Sequence, residues 1–235
     1  MTTAQSIKQH LLPLADEKIA EHSRRFFKTG KGEYGEGDKF LGIRVPPLRA
    51  AAKKYRNLPR LELEKLLGSE FHEIRLCAAF ILVFQFENGD AATKAAIYNF
   101  YLANTCAFNG WDIVDSSAHQ ILGGYLFDKK RDVLYGLAAS SMLWERRMAI
   151  ISTLFFIRKN DYADTLAIAE LLLEDQEDLI HKATGWMLRE VGKRDRAIAD
   201  SFLAMHYKRM PRAMLRYAIE KLPEAERKRY LKGTA

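Results

Sequence analysis

The sequence predicts an all-helical repeat protein, and three observations carry this prediction. Apolar residues recur at the spacing of an amphipathic helix along almost the whole chain. Strand signals are nearly absent, because there is little alternation of apolar and polar residues and no hairpin dipeptide between β-branched runs. A local pattern also returns at roughly 30- to 40-residue intervals, which is typical of stacked helical repeats.

The individual helices are predicted from their apolar stripes and their start signals. Residues 179–191 place a wide apolar stripe on one helix. Similar stripes predict helices near 143–157, 161–173, 195–207 and 211–221. Prolines mark helix starts, because the missing N–H costs little in the first turn. These prolines are Pro13, Pro46, Pro47, Pro59, Pro211 and Pro223.

Residues 28–42 depart from the helical pattern. They hold five of the 14 glycines of the chain, a density that predicts a loop. A glycine-rich loop that carries lysines can approach a phosphate backbone closely, although the residue order of a nucleotide-binding P-loop is absent. A plain connector between two helices is an equally good interpretation of this segment.

Length and charge set the broad class of protein. The 235 residues suit one repeat domain, 1–235, and the 37 Lys and Arg against 30 Asp and Glu leave a net charge of +7. A positive excess favours an anionic partner such as nucleic acid, but by itself it is a weak indication.

Two cysteines and the N-terminal sequence bear on metal binding and location. Cys77 lies in an apolar run and is predicted to be a small buried side chain, and neither it nor Cys106 has a second ligand at zinc-site spacing. We therefore expect no metal. Without a signal-peptide pattern or a membrane-spanning stretch, we expect a cytoplasmic protein with no membrane partner.

The internal repeat is defined by five positions with a shared local pattern. A small residue, or Thr in one case, follows each of them two places later. The steps between them are 40, 32, 35 and 34 residues, each long enough for two helices and two turns. This is close to the size of HEAT-type repeats, so the sequence predicts an α-solenoid. The five ladder positions are Arg75, Asp115, Arg147, Lys182 and Arg216.

Stacked repeats place equivalent residues in a row on one face. Four of the five ladder positions are cations, which together would form a track for a phosphate backbone along a concave surface. The alternative is a solvated polar edge, which is the usual place for charges on solenoid helices.

Asp115 is the one acid in this row, and tryptophans lie near it. Trp111 precedes it by four residues, on the same helix face. Trp144 and Trp186 lie three and four residues from neighbouring ladder positions. Each tryptophan alone is more typical of a core, but the three together indicate a working surface.

This combination suits cleavage of the bond between a base and its sugar. Breaking that bond builds positive charge on the sugar, which a nearby carboxylate stabilises while it orients the attacking water. Indole faces add cation–π attraction of ~0.5 to 2 kcal/mol each. The alternative is that Asp115 is a first-turn acid of a helix that opens at Trp111, a role that suits Asp112 better.

Four motifs follow one another with a specific order and spacing. They are Phe40–Pro46 (FLGIRVP), Trp111–Asp115 (WDIVD), Trp144–Arg147 (WERR) and Lys182–Glu190 (KATGWMLRE). In these motifs the sequence resembles the AlkD family of DNA alkylation-repair glycosylases. The resemblance implies HEAT-like repeats in a C shape around duplex DNA, with a concave basic cleft. It further implies a monofunctional alkylpurine DNA glycosylase that excises lesions of the 3-methyladenine and 7-methylguanine type without any cofactor.

The resemblance also implies roles for particular residues. Asp115 matches the catalytic acid of the family, Trp111 and Trp186 match its sugar-contacting tryptophans, and Arg147 matches its backbone-binding arginine. Arg189 lies two turns after a ladder position and is a further candidate for a phosphate contact. The loop 28–42 looks longer than in the simplest members of the family. The other candidates for DNA contact are Lys182, Arg216, Arg75 and Tyr34.

Two other functions compete with the glycosylase. One is a non-catalytic DNA-binding HEAT-repeat protein that recognises damaged or branched DNA. The other is a protein-binding scaffold in which Trp and Arg act as interface hot spots. A pure binder has little use for Asp115, so the sequence favours an enzyme. An alkylated purine is already cationic and needs no protonation to leave, so one carboxylate suffices and neutral lesions should be poor substrates. We expect a monomer.

Overall fold

The chain is helical along most of its length, as the apolar periodicity predicts. The computed structural model describes residues 2–235, and within them the one β-type contact is an isolated bridge between Lys39 and Phe71. No helix in this range is long and apolar enough to cross a membrane. The prediction of an all-helical protein is therefore confirmed.

The helices fall into two compact units, of which the first extends to Ser117 and the second covers Ala118–Ala235. The helices of the first unit are α1 (Ala4–Leu11), α2 (Glu17–Phe26), α3 (Val45–Lys54), α4 (Arg60–Leu67), α5 (His72–Asn88), α6 (Ala91–Ala103) and α7 (Trp111–Asp115). The second unit begins with a π-helical turn, His119–Gly123. Its helices are α8 (Gly124–Leu126), α9 (Asp132–Ala138), α10 (Leu143–Ile157), α11 (Ala163–Leu171), α12 (Asp178–Gly192), α13 (Arg196–His206), α14 (Arg212–Ala218) and α15 (Glu224–Lys232).

Prolines lie at the helix starts where the sequence predicts them. Pro46 and Pro47 occupy the first turn of α3. Pro59, Pro211 and Pro223 are the residues just before α4, α14 and α15. At all of these positions the missing N–H has no partner to lose within the helix.

The ladder positions share one place on their helices. Arg75 is the fourth residue of α5, and the other four ladder positions are the fifth residues of α7, α10, α12 and α14. In the second unit α10 packs on α12, and α12 packs on α14. Helices α9, α11 and α13 alternate with these three along the chain, so each ladder helix belongs to a helical pair. The predicted helical repeat is confirmed.

Small residues two places after each ladder position allow this packing. All five of these residues are buried. One of them, Cys77, makes only a weak thiol contact with the carbonyl of Leu48, and burial raises the pKa of its thiol to about 12. Gly185 brings α12 close to α14, since a Cβ there would lie 2.4 Å from the carbonyl oxygen of Met214. Besides Cys77, the residues two places after the ladder positions are Ser117, Ala149, Thr184 and Ala218.

Helix α7 is shorter than the sequence pattern predicts. The pattern treats residues 114–118 as one helix, but α7 ends at Asp115 and a turn follows. The Oγ atoms of Ser116 and Ser117 donate 2.6 Å hydrogen bonds to the carbonyl oxygens of Asp112 and Ile113. Such local bonds from serine compete with helix propagation.

Candidate active site

Helix α7 carries two of the three side chains that are predicted to be catalytic. Trp111 is its first residue and Asp115 its last, so they are one turn apart on one face. Both side chains are half-buried. Asp112 is the acid in the first turn, whereas an acid at the C-terminal end gains nothing from the helix dipole. The favourable first-turn position therefore accounts for Asp112 and does not account for Asp115.

The indole of Trp111 is held by two phenylalanines from the end of α2. Its ring stacks on Phe27 with centroids 5.2 Å apart and planes 12° apart. Phe26 meets it edge-on at 5.9 Å, and this residue is 58% exposed. Ring pairs at these distances are favourable and directional, so they fix the plane of the indole.

The carboxylate of Asp115 lies close enough to the core to influence a buried phenol. Burial raises the pKa of Tyr101, its hydrogen bond with Ser117 opposes this, and the negative charge of Asp115 raises it further. The two hydroxyl oxygens of Tyr101 and Ser117 are 2.9 Å apart. A charge bordering an apolar interior is poorly screened, which strengthens its interaction with any developing cation nearby.

The N-terminal end of α7 is tied to α5 by a buried histidine. His72 is 2% exposed, and its Nε2 lies 2.9 and 3.0 Å from the two carboxylate oxygens of Asp112. Its Nδ1 lies 2.7 Å from Oδ2 of Asp38, at the end of the glycine-rich loop. Asp112 and Asp38 are 40 and 34 residues away from His72 in sequence, so no local spacing indicates these contacts.

The two aspartates keep this histidine charged. Burial lowers the pKa of His72, but the charge and hydrogen bond of Asp112, together with those of Asp38, raise it to about 9. For Asp38, burial raises the pKa of the carboxyl, but the hydrogen bonds and positive charges of His72 and Arg75 bring it below its ordinary value. At neutral pH the imidazolium therefore donates from both nitrogens, one to each acid.

Arg75, a predicted DNA contact, is buried in the same network. Its guanidinium donates to Oδ1 of Asp38 at 2.7 Å, to Oδ1 of Asn109 at 3.0 Å and to the carbonyl of Ser69 at 2.8 Å. All three of its nitrogens thus have partners inside the protein. In this geometry Arg75 organises the segments around it.

Glu73 anchors the end of the glycine-rich loop. Its 4% exposed carboxylate accepts from the backbone N–H groups of Leu41, Gly42 and Ile43 at 2.9, 2.8 and 3.3 Å. The loop is free of helix, as predicted. Tyr34 lies within it, half-buried, with its hydroxyl 3.4 Å from the carbonyl oxygen of Phe26. The segment is therefore a folded part of the first unit that packs beside the aromatic cluster.

The remaining candidates lie on three packed helices of the second unit. Arg147 on α10 is 5% exposed and donates a 2.5 Å bond to the carbonyl of Leu179 on α12. Lys182, on α12 as well, pairs with Asp178 at 2.6 Å at the surface. Arg216 on α14 is exposed. Trp144, at 8% exposure, belongs to the core.

Trp186 and Arg189 form a polar cluster on α12. The indole N–H of Trp186, which is half-buried, donates to Oε1 of Glu190 at 3.3 Å. Arg189 pairs with Glu220 and lies 3.7 Å from Glu190. Burial raises the pKa of Glu190, but Lys193 and Arg189 more than offset it, so the pKa lies below its ordinary value. The ionised carboxylate fixes the orientation of the indole.

The fold and this set of residues define a class: an all-helical repeat protein with a half-buried acid and tryptophan on one short helix and cations on the helices that follow. The sequence profile of the family described as "DNA alkylation repair enzyme" matches residues 7–222. The chain belongs to this family, which confirms the resemblance noted above.

A solved structure has a similar fold. A protein titled "Predicted DNA alkylation repair enzyme from Enterococcus faecalis" superposes with a TM-score of 0.67 over 89% of this chain and 97% of its own, at 16% identity. At that identity the likeness shows the fold alone. Comparison with functionally curated proteins gives no significant match.

Proposed function

We propose that the protein is a DNA glycosylase that hydrolyses the N-glycosidic bond of cationic alkylated purines in duplex DNA. One observation carries the proposal: Trp111 and Asp115 lie one turn apart on α7, both half-buried, with the indole plane set by Phe27. An acid in this position has no capping function, whereas it suits the stabilisation of a cationic sugar.

The proposed reaction is a hydrolysis in which Asp115 stabilises the sugar. The bond between C1′ and the purine nitrogen breaks, and its electron pair neutralises the positive charge of the alkylated base. The sugar becomes oxocarbenium-like, and the Asp115 carboxylate and the indole faces of Trp111 and Trp186 stabilise it. Water then bonds to C1′ and releases a proton, and Asp115 orients that water. The products are the neutral free base and an abasic site.

DNA binding is assigned to cations of the second unit and to the loop. Lys182 and Arg216 are the accessible ladder cations. Arg147, whose Nη1 donates to the carbonyl of Leu179, is proposed as a further backbone contact, and Arg189 would exchange Glu220 for a phosphate. Tyr34 is a further proposed contact. The enzyme is proposed to act as a cytoplasmic monomer without cofactors.

Base release from methylated duplex DNA by wild type and Asp115→Asn tests this function. Asn keeps the shape and removes the charge, so excision should fall at least ~100-fold, the usual cost of a lost electrostatic group. DNA binding should stay the same or tighten, because a negative charge is removed near phosphates. Asp200→Asn is the matched control, since Asp200 is a surface acid on α13 that pairs with Arg196.

The outcomes separate the candidate functions. Wild-type protein that binds methylated duplex but releases no base would be a non-catalytic DNA-binding protein. Equal excision by wild type and Asp115→Asn would remove Asp115 from the mechanism. Excision of neutral lesions at the rate of cationic ones would contradict the idea that the charge of the base supplies the leaving-group activation.

A further inference from the structure

We propose that His72 is a positioning residue for base excision: its imidazolium bridges Asp38 and Asp112, fixes the start of α7, and thereby fixes Trp111 and Asp115. This inference rests on the proposed function. It assigns a task to a buried group that the proposed chemistry does not itself use. His72 is the first residue of α5, one residue after Phe71 and three before Arg75, and it reaches α7 only through space.

Helix α7 needs an external anchor. Its five residues are too few to be stable as an isolated helix, and no side chain caps its start at Gly110. Gly110 packs directly against the imidazole, since a Cβ there would lie 2.7 Å from Cε1 of His72. Asp112, one residue after Trp111, bonds to Nε2. The chain is therefore held to His72 on both sides of Trp111.

The imidazole also reaches Trp111 through the aromatic cluster. Its ring lies 4.8 Å from the ring of Phe27, which in turn stacks on Trp111 at 5.2 Å. Phe40 stacks on the imidazole at 4.6 Å with an interplanar angle of 20°. The indole plane and the position of the α7 backbone consequently depend on the same side chain.

The bridge requires the protonated ring. The charged groups that face His72 are Asp38 from the loop, Asp112 from α7 and, through Asp38, Arg75 on its own helix. An imidazolium has two N–H donors and satisfies both acids, whereas a neutral ring has one. Loss of the proton therefore leaves two half-buried carboxylates competing for one donor, and the tie to the loop or the tie to α7 is lost.

Two substitutions separate these ties. In His72→Gln the amide nitrogen takes the place of Nε2 and can still donate to Asp112. In His72→Asn it takes the place of Nδ1 and can donate only to Asp38. We expect His72→Asn to lower the single-turnover excision rate on saturating methylated duplex by ~100-fold, the scale of a small misplacement of reacting groups. His72→Gln should keep most of the rate, and both should bind DNA like wild type.

Glu73→Gln is the control, because it weakens the neighbouring loop anchor on the same helix without touching α7. It should lower the melting temperature and leave the excision rate unchanged. Rates are compared at a temperature where circular dichroism shows every variant folded. The wild-type rate should also decline above pH about 9, while that of His72→Gln should not.

The outcomes are distinguishable from failure of the proposed function. If wild type releases no base, the proposed function fails, and the positioning role fails with it. If wild type is active and His72→Asn matches it, the positioning role alone is wrong. His72→Asn and His72→Gln could instead lose the same fraction of the excision rate. If the rates of these two variants and of Glu73→Gln all fell in step with their melting temperatures, His72 would only support the fold.

Discussion

At the scale of single residues, the first unit depends on buried charges that balance one another. His72 and Arg75 carry two positive charges, and Asp38 and Asp112 carry two negative ones, all within hydrogen-bond distance. A buried set of this kind contributes little net stability compared with apolar packing, but removal of one member leaves a buried charge unpaired, at a cost of about 3–5 kcal/mol. Its value lies in fixing geometry.

The stability contributed by His72 should be lost at alkaline pH. Its folded-state pKa of about 9 lies above the ordinary value of 6.5, so the folded state holds the proton more tightly. The contribution is fully present below pH 6.5 and is lost as the pH rises through 9, to a total of about 3 kcal/mol. Urea unfolding of wild type and His72→Gln at roughly pH 6 and pH 10 measures it. Parallel losses in the two proteins would contradict the assignment.

Residues that act through local spacing were predictable, and those that act through distant partners were not. The placement of Trp111 and Asp115 on one helix face was predictable, because a four-residue separation on a helix brings side chains to the same face. Asp38, His72 and Asp112 give no such signal, because the loop and the two helices that join them are far apart in sequence. The position of Trp144 near the ladder predicted a surface residue. Instead Trp144 lies in the core, which is the ordinary place for a large indole.

At the scale of elements, the interface between α12 and α14 depends on a missing side chain. Gly185→Ala would place a Cβ 2.4 Å from the carbonyl of Met214 and 2.6 Å from Cβ of Tyr217, so the helices must separate. We expect the free energy of unfolding to fall by about 1–3 kcal/mol. Gly136→Ala on α9 has nothing within 4 Å and should raise stability by up to about 1 kcal/mol, because Ala favours a helix.

Chemical denaturation of both variants distinguishes this from a general effect of replacing glycine. Opposite signs for Gly185→Ala and Gly136→Ala are expected, and destabilisation of similar size in both would refute close packing at Gly185. Most helices were predictable because amphipathic periodicity and proline starts are local signals. The end of α7 at Asp115 was not, since it coincides with the back-bonding of two serine hydroxyls in the turn that follows.

At the scale of the whole molecule, the net charge of +7 and the membership of a DNA alkylation repair family agree on an anionic partner. Binding to duplex DNA should therefore weaken steeply with salt, because neutralised phosphates release counterions. Cations differ in what they can contribute, however. Arg75 and Arg146 donate their hydrogen bonds to groups within the protein; Arg75 binds Asp38 at 2.7 Å and Arg146 binds Asp175 at 2.6 Å. Total charge consequently overstates the number of phosphate contacts.

Arg216 offers the sharpest test of the ladder as a phosphate track. It is exposed at the fifth position of α14, and no ion pair involves it among residues 2–235. Arg216→Ala should weaken binding equally on all duplex sequences and reduce the slope of log K against log salt by ~0.9, the value of one phosphate contact. Arg196→Ala is the matched control, since Arg196 lies on the intervening helix α13 and pairs with Asp200 and Glu226. A slope unchanged in Arg216→Ala, or reduced equally in both variants, would mean that the ladder face does not follow the backbone of the DNA.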